Sequence, residues 1–389
     1  MPLPYWRLSG FYFFYFALLG GMHPYWPLYL QHLGFTPERI GLLLATPMLT
    51  RLFAPNLWAW LGDVTGRRLA ILRLGSFLGL FCFLGITIDQ SFIWLAVVIT
   101  TYSFFWNAIL PQFDVITLSF LKDQPERYSL LRLWGSIGFI IAVVGSGYSF
   151  EHISITMFPW LGIALLVCIF ISSLLIPQPM VDIRTHKKSS LWQVVRQPVV
   201  IAFLLAGSLL QMAHGAYYSF FSIYLEELGF SRIAIGFLWS IGVVAEVFVF
   251  IVMHRLLISF GVRQILIVSL FLAALRWYMI GNGAEHLWLL ILAQCLHAFS
   301  FGTFHAASIE SIRRLFVDGT QTGGQALYGA ITFGIGGALG SYLAGRFWHF
   351  GAETIFNMAA LLTFIAVLVA WFSFRHARLE VNEAHHVAQ

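Results

Sequence analysis

Of 389 residues, 59% are hydrophobic and only 10% are charged, against roughly 25% charged in an average soluble domain, so a water-solvated globule is excluded. The formal net charge of +5 comes from 22 Lys and Arg against 17 Asp and Glu; their placement explains it by membrane orientation, with no nucleic-acid partner. Cys82, Cys168 and Cys295 fall in separate apolar stretches without disulfide or metal-ligand spacing and read as small core residues.

Apolar stretches of about 20 residues, each long enough to cross a hydrocarbon core, recur from end to end. They predict spans near 8–30, 38–60, 69–88, 92–120, 129–150 and 156–176, then 199–225, 233–255, 262–282, 286–312, 325–346 and 352–374. The first is too long, and holds Pro24 and Pro27 too centrally, to be a cleaved signal sequence. The fourth is long and contains Pro111, which predicts a tilted or kinked helix. Residues 177–198, with a basic run at Lys187 and Lys188, form the one evident linker and divide 1–176 from 199–389. The other connections are short and favour antiparallel neighbours. In the eleventh span Gly334, Gly336, Gly337, Gly340, Ser341 and Gly345 make a smooth face that another helix can approach closely. The tail, with His385 and His386, reads as a short disordered end. The expected fold is an all-α membrane protein of twelve transmembrane helices in two pseudo-symmetric six-helix bundles.

The two halves echo each other. Residues 29–41 and 224–236 are identical at seven of thirteen positions, at an offset of 195. The same offset carries Arg51 onto Glu246, and Gly66 and Arg68 onto Gly261 and Arg263. A duplicated hydrophobic chain is the pattern of a transporter built from two equivalent bundles. With both termini inside, fifteen basic residues, among them Arg7, Arg67, Arg68, Arg184, Arg313, Arg375 and Arg378, fall on cytoplasmic segments. Only Arg39, Arg232 and Arg346 fall outside, so the positive-inside rule predicts cytoplasmic termini.

Between the second and third spans the chain reads Gly62-Asp63-Val64-Thr65-Gly66-Arg67-Arg68. Asp63, Gly66, Arg67 and Arg68 resemble the loop signature of the major facilitator superfamily, although Val64 stands where a basic residue is usual. An acid beside a glycine turn and two arginines forms either a charge lock that makes and breaks between conformations or a turn that enforces orientation.

An ionisable group in the bilayer core costs at least about 2.5 kcal/mol and persists only where it meets a partner, a cavity or water. Arg51, Asp114, Arg132, Glu246 and Arg276 are the deep ones, with His214, His297 and His305 as polarisable neighbours. Arg73 and Glu310 lie near cytoplasmic helix ends, Glu310 at helical spacing from Arg313 and Arg314. Asp114 and Arg132 sit on sequence-neighbouring spans, where they make either a static salt bridge or a substrate grip. His297, Phe301 and His305 line one stripe, and each histidine is either hydrogen-bonded in place or part of a proton relay.

The run Arg132-Leu133-Trp134-Gly135-Ser136 is similar to the fifth-helix motif of the oligosaccharide and nucleoside symporter branch. That resemblance implies substrate contact for Asp114, Arg132, Phe139 and Arg276, and places Glu246 and Leu296-His297 at the site. Ser300 and Gln294 stand where that branch has a proton-carrying glutamate and a lysine, so its proton route does not carry over. Pro111-Gln112-Phe113-Asp114, Ala213-His214-Gly215-Ala216-Tyr217-Tyr218, Gly242-Val243-Val244-Ala245-Glu246-Val247 and Leu275-Arg276-Trp277 look like motifs of the phenylpropionate permease group. This closer resemblance implies proton-driven uptake of a small aromatic acid such as 3-phenylpropionate across a bacterial-type cytoplasmic membrane.

Three deep arginines against two carboxylates leave one positive charge, which an organic monoanion neutralises and a sugar or nucleoside does not. Tyr217, Trp277 and their aromatic neighbours can sandwich a ring. The expected roles are substrate binding by Asp114, Arg132, Phe139, Arg276, Tyr217 and Trp277, and proton coupling by Glu246, Asp114, His297, His214 and His305. Conformational coupling falls to Gly62, Asp63, Gly66, Arg67, Arg68 and Arg51. A sugar or nucleoside importer is the alternative, with efflux behind it. The chain has no ATP-binding loop and no nucleophile–base or metal constellation, so the expectation is a monomeric, cofactor-free transporter driven by protons, not an enzyme.

Overall fold

The computed structural model describes residues 3–122, 124, 127–178, 191–317 and 320–374. Most of the linker, with Arg184, Lys187 and Lys188, and the tail, with Arg375, Arg378, His385 and His386, lie outside the described residues.

Ten described helices are long and apolar enough to cross a membrane. One of them, Arg232–Gly283, has 52 residues. At the helical rise it would be roughly 78 Å long, more than twice a hydrocarbon core. It is broken at Gly261, where φ 73° and ψ 160° are not helical, and so makes two spans. The first span, Tyr5–Met22 continued as Trp26–His32, completes twelve.

These are α1 (Tyr5–Met22 and Trp26–His32), α2 (Pro37–Thr65), α3 (Arg68–Leu84), α4 (Phe92–Leu121), α5 (Tyr128–His152) and α6 (Phe158–Leu175). The second bundle holds α7 (Pro198–Glu227), α8 (232–260), α9 (262–283), α10 (Leu287–Leu315), α11 (Gln321–Phe350) and α12 (Ala352–Ser373). The expected loop between the eighth and ninth spans is helical apart from Gly261, so α8 is longer than its apolar stretch. Helix α4 runs unbroken through Pro111. That proline lacks an N–H, which leaves the Asn107 carbonyl without its usual helical donor.

The face at which α1 starts and α12 ends is called the near face here, the other the far face. The duplicated segments explain the far face. In each, a helix closes on a left-handed glycine: Gly34 at φ 81° and Gly229 at φ 84°. Phe35 N–H returns to the Leu30 carbonyl and Gly34 N–H to Gln31, as Phe230 does to Leu225 and Gly229 to Glu226. This is the Schellman closure, and side chains other than glycine strain its left-handed position. Seven residues beyond, Gly41 of α2 and Gly236 of α8 meet the opposite bundle. A methyl at Gly41 would stand 2.5 Å from the Ser341 carbonyl, and one at Gly236 would stand 2.7 Å from the Val143 carbonyl.

Polar contacts reinforce this seam. Tyr25 Oη donates to the Arg232 carbonyl at 3.3 Å, and the Arg232 guanidinium donates to the Phe150 carbonyl at 2.8 Å. Arg232 N–H donates to Glu151 at 2.8 Å, Ser341 Oγ donates to the Gly41 carbonyl at 3.0 Å, and Arg346 lies 3.6 Å from Glu38. All of these lie in the far half of the molecule, which is therefore shut.

Within the second bundle, the glycines of α11 admit α7. Methyls at Gly336 and Gly340 would run into the backbone of Ser208 and Met212. Arg73 of α3 donates to the carbonyls of Ser173, Leu174 and Ile176, capping the end of α6. The three cysteines are free and half-buried.

Gly340→Ala should cost about 1–3 kcal/mol through overpacking against α7. Gly79→Ala, where a methyl meets nothing within 4 Å, should cost nothing measurable. Thermal melting of the two purified variants in detergent compares them, and equal melting points would contradict the close α7–α11 approach.

Candidate functional site

At the near face, the loop signature forms a lock. Gly66 ends α2 in a left-handed turn, so Arg68, the first residue of α3, returns to pair with Asp63. The same guanidinium donates to Gln112 Oε1 on α4 at 2.8 Å, and Gln112 Nε2 donates to the Trp58 carbonyl at 2.9 Å. Gly62 leaves the room: a methyl there would press on Gln112 and Arg68. Three helices are thus tied through Arg68, while Arg67 is exposed. Arg51 takes no part in this lock. Glu310 binds Arg313 and Arg314, each at 2.7 Å, at the near end of α10.

Asp114 lies seven residues from the near end of α4, and Arg132 four residues into α5. The expected Asp114–Arg132 contact is not made within ion-pair distance. Asp114 instead accepts from Tyr12 Oη at 2.6 Å and Tyr128 Oη at 3.0 Å. The Arg132 guanidinium sits over the Phe16 ring at 3.7 Å. Two phenols satisfy the carboxylate, and a ring of α1 takes the cation. Phe139 is half-buried and packs against the main apolar core, its backbone pressed against Gly20 of α1.

The second bundle gathers most of the expected residues. Arg276 is completely buried, and its guanidinium lies 4.2 Å from the Tyr217 ring and 4.3 Å from the Trp277 ring. It donates to the Ala293 carbonyl at 3.1 Å, Ser300 Oγ at 3.2 Å and Gln294 Oε1 at 3.4 Å. Ser300 belongs to a π-helical stretch, Ala298–Thr303, that widens α10 at this level. The two residues that depart from the symporter pattern, Gln294 and Ser300, are therefore the ones that hold Arg276. His297 Nε2 stands 3.0 Å from a Glu246 oxygen, without hydrogen-bond geometry. Phe301 is stacked between His297 and His305 at 5.7 and 6.0 Å. His214 Nδ1 is held by the Leu210 carbonyl at 2.9 Å, and its edge faces Trp277.

Between the bundles lies a cavity with about 740 Å³ of empty space, its open mouth included. Arg51, His23, Asn107, Trp106 and Tyr218 line it. Two helices break there. α1 is interrupted at His23–Tyr25, beside Pro24, and α2 at Arg51–Phe53, between Pro47 and Pro55. Interrupted backbone at membrane depth is tolerated where it lines a cavity or is buried in protein. Composition and spacing drew attention to Arg51 but not to His23, Asn107, Tyr12 or Tyr128. The signals were present: prolines next to His23 and on both sides of Arg51, and the 195-residue offset, which carries His23 onto Tyr218. His23 and Tyr218 meet across the cavity, ring centroids 5.0 Å apart.

A family model described as the MFS_1 like family matches residues 5–358. The chain belongs to that family. This transporter is 31% identical over 375 residues to a probable 3-phenylpropionic acid transporter of Escherichia coli (strain K12), covering 94% of this chain and 96% of that one. It is 27% identical to a maltose permease of Geobacillus stearothermophilus, covering 92% of each. Among solved structures, a point mutant of the nucleoside transporter NupG superposes with a TM-score of 0.86 at 18% identity, covering 95% of this chain and 100% of that one. An auto-inhibited peptide transporter of the POT family gives 0.73 at 13% identity, over 97% and 98%. The protein is thus a multi-pass membrane transporter of a small molecule, not an enzyme.

The near-face lock yields a graded prediction. Asp63 is about half exposed, so Asp63→Asn should cost under about 1 kcal/mol. Gln112→Ala strips a buried bridge from both Arg68 and Trp58 and should cost about 1–3 kcal/mol. Detergent unfolding ranks the two, and the reverse order would mean that the ion pair carries the lock.

Proposed function

We propose that this transporter couples proton entry to uptake of a small aromatic carboxylate such as 3-phenylpropionate, by alternating access across a bacterial-type cytoplasmic membrane with both termini inside. One observation carries the reading: a ring-lined cavity at the bundle interface holds the cation Arg51, while within the other bundle, outside the cavity lining, the acid Glu246 faces a histidine. The 31% identity to a probable 3-phenylpropionic acid transporter supports the substrate class. The distribution of basic residues supports cytoplasmic termini.

Glu246 carries the proton in this reading, with His297 beside it to pass the proton on. In the empty state the five deep groups hold a surplus of one positive charge. Protonation of Glu246 raises that surplus to two and strengthens the pull on an anion. By linkage, a bound anion makes that protonation easier to the same degree. In this reading Arg132, four residues into α5 from the near face, exchanges the Phe16 ring for a passing carboxylate, with Asp114 at similar depth on α4. Arg276, Tyr217 and Trp277 form the buried wall of the second bundle, with His214 and His305 flanking it. Shut at the far face, the bundles rock about this level and open the cavity to either side in turn. Residues 1–176 and 199–389 are the two moving bodies, and 177–198 is the tether.

A sugar or nucleoside importer is the second reading, favoured by the maltose permease relative and the NupG fold. Uptake of labelled 3-phenylpropionate, maltose and uridine into vesicles, with and without an inward proton gradient, separates the readings. The expected result is gradient-dependent accumulation of the aromatic acid alone. Indifference to the gradient rules out symport, and accumulation of sugar or nucleoside instead rules out the substrate class.

Glu246→Gln should retain exchange of 3-phenylpropionate across the membrane but lose gradient-driven accumulation. Full accumulation by this variant would remove Glu246 from the coupling. Arg132→Gln should abolish net uptake while the variant still folds, losing at most about 2 kcal/mol with the Phe16 ring contact, because Arg132 makes no polar bond among the described residues.

A further inference from the structure

The three deep arginines are in different situations. Arg276 is dry, with all its bonding directed at Ala293, Ser300 and Gln294 and a ring on either side. Arg132 is covered by the Phe16 ring. Arg51 is exposed into the cavity and, among the described residues, meets no carboxylate within ion-pair distance, no side-chain hydrogen-bond acceptor and no ring face. It also lies halfway along α2, at the depth where an unpaired charge costs most. A guanidinium kept there without a partner requires either water or an incoming anion, and the cavity admits both.

The surroundings narrow the choice. Arg51 sits at the break in α2, where the N–H groups of Arg51, Leu52 and Phe53 turn back three residues to the Met48, Leu49 and Thr50 carbonyls at 3.1, 3.1 and 3.4 Å. The break is pinned to α4: Asn107 Nδ2 donates to Thr50 Oγ1 at 2.8 Å, and Thr50 Oγ1 donates to Ser103 at 3.1 Å. The arginine therefore projects from an anchored point. The Asn107 amide stands beside it, with an acceptor oxygen and a second N–H still available. Two aromatic walls face the same space, one from each bundle. Trp106 is held by Tyr15 stacked on it at 4.1 Å and 7°, and Tyr218 is held against His23. A planar fork beside a fixed amide suits a carboxylate, and ring walls nearby suit an aryl group.

We propose that the break in α2 is the carboxylate subsite of this transporter: Arg51, with Asn107 beside it, receives the acid group, and Trp106 and Tyr218 take the ring. This rests on the organic-anion reading above and deepens it. The 195-residue offset gives the arrangement a simple form. Equivalent positions in the two halves carry Arg51, which meets the substrate anion, and Glu246, which meets the proton.

The test uses purified full-length protein and two probes of the same shape, 3-phenylpropionate and the neutral 3-phenylpropionamide. Binding is followed by calorimetry and by the fluorescence of the cavity tryptophans. Wild type is expected to prefer the acid roughly 10- to 100-fold, the difference one charge-assisted pair makes. Arg51→Gln should bring the acid down to the level of the amide while leaving amide affinity within about twofold, which also shows that the cavity is folded. Arg51→Lys should restore part of the preference, as a point charge without the fork. If Arg51→Gln keeps the acid preference, the carboxylate sits elsewhere and this subsite is wrong, although the aromatic-acid reading survives because wild type still binds the acid. If wild type binds neither probe, both readings fall together.

Discussion

The cost of placing charge in hydrocarbon is the constraint from which the rest of the molecule follows. Arg51, Asp114, Arg132, Glu246 and Arg276 lie deep within the spans, and each has to be hydrated, bonded or covered by a ring. Arg276 is solved by bonding, Arg132 by a ring and Asp114 by two phenols, while Glu246 faces His297 at 3.0 Å without a hydrogen bond. Arg51 is solved by access to the cavity. The interrupted stretches of α1 and α2 obey the same rule, since peptide groups released from a helix face a smaller penalty of the same kind. Cavity, broken helices and buried polar clusters are one solution to one problem.

The two halves share a scaffold and divide the chemistry. Gly34 and Gly229, Gly41 and Gly236, and His23 and Tyr218 occupy equivalent places, so turns, seams and cavity walls are duplicated. Arg51 and Glu246 are equivalent in place and opposite in charge. A duplicated bundle that kept one sign on both sides would repel or attract two ions alike. Divergence at this one pair gives the two bundles opposite charges at matching positions, while the backbone beneath stays symmetric.

The spans were legible because twenty apolar residues in a row have few other uses, and the Asp63–Arg68 pair because its residues are local in sequence, whereas its tie to Gln112 of α4 was not. The depth of each charge was also legible, since depth follows from distance along a helix. The direction in which a side chain points was not. Asp114 and Arg132 lie at similar depth on neighbouring helices, yet Tyr12 and Phe16 of α1 separate them. Such a third helix enters from more than a hundred residues away, and no local pattern announces it. The breaks at His23–Tyr25 and Arg51–Phe53 were hidden for a different reason. Hydropathy averages over prolines that apolar neighbours flank, although Pro24, Pro47 and Pro55 marked the places. The histidine stripe of α10 survived as expected, but the π-helical widening that delivers Ser300 to Arg276 left no compositional trace.

The far-face seam has a consequence for how the protein moves. Its closest approaches are between main chains, at Gly41, Gly147, Gly236 and Gly345, with few interlocking side chains. Such a junction behaves like two polished plates. The glycine contacts carry no charge for salt to screen, whereas the exposed Arg346–Glu38 pair beside them weakens as ionic strength rises. A single methyl added at one of these glycines then forces the far faces apart, at residues that are not part of the cavity lining.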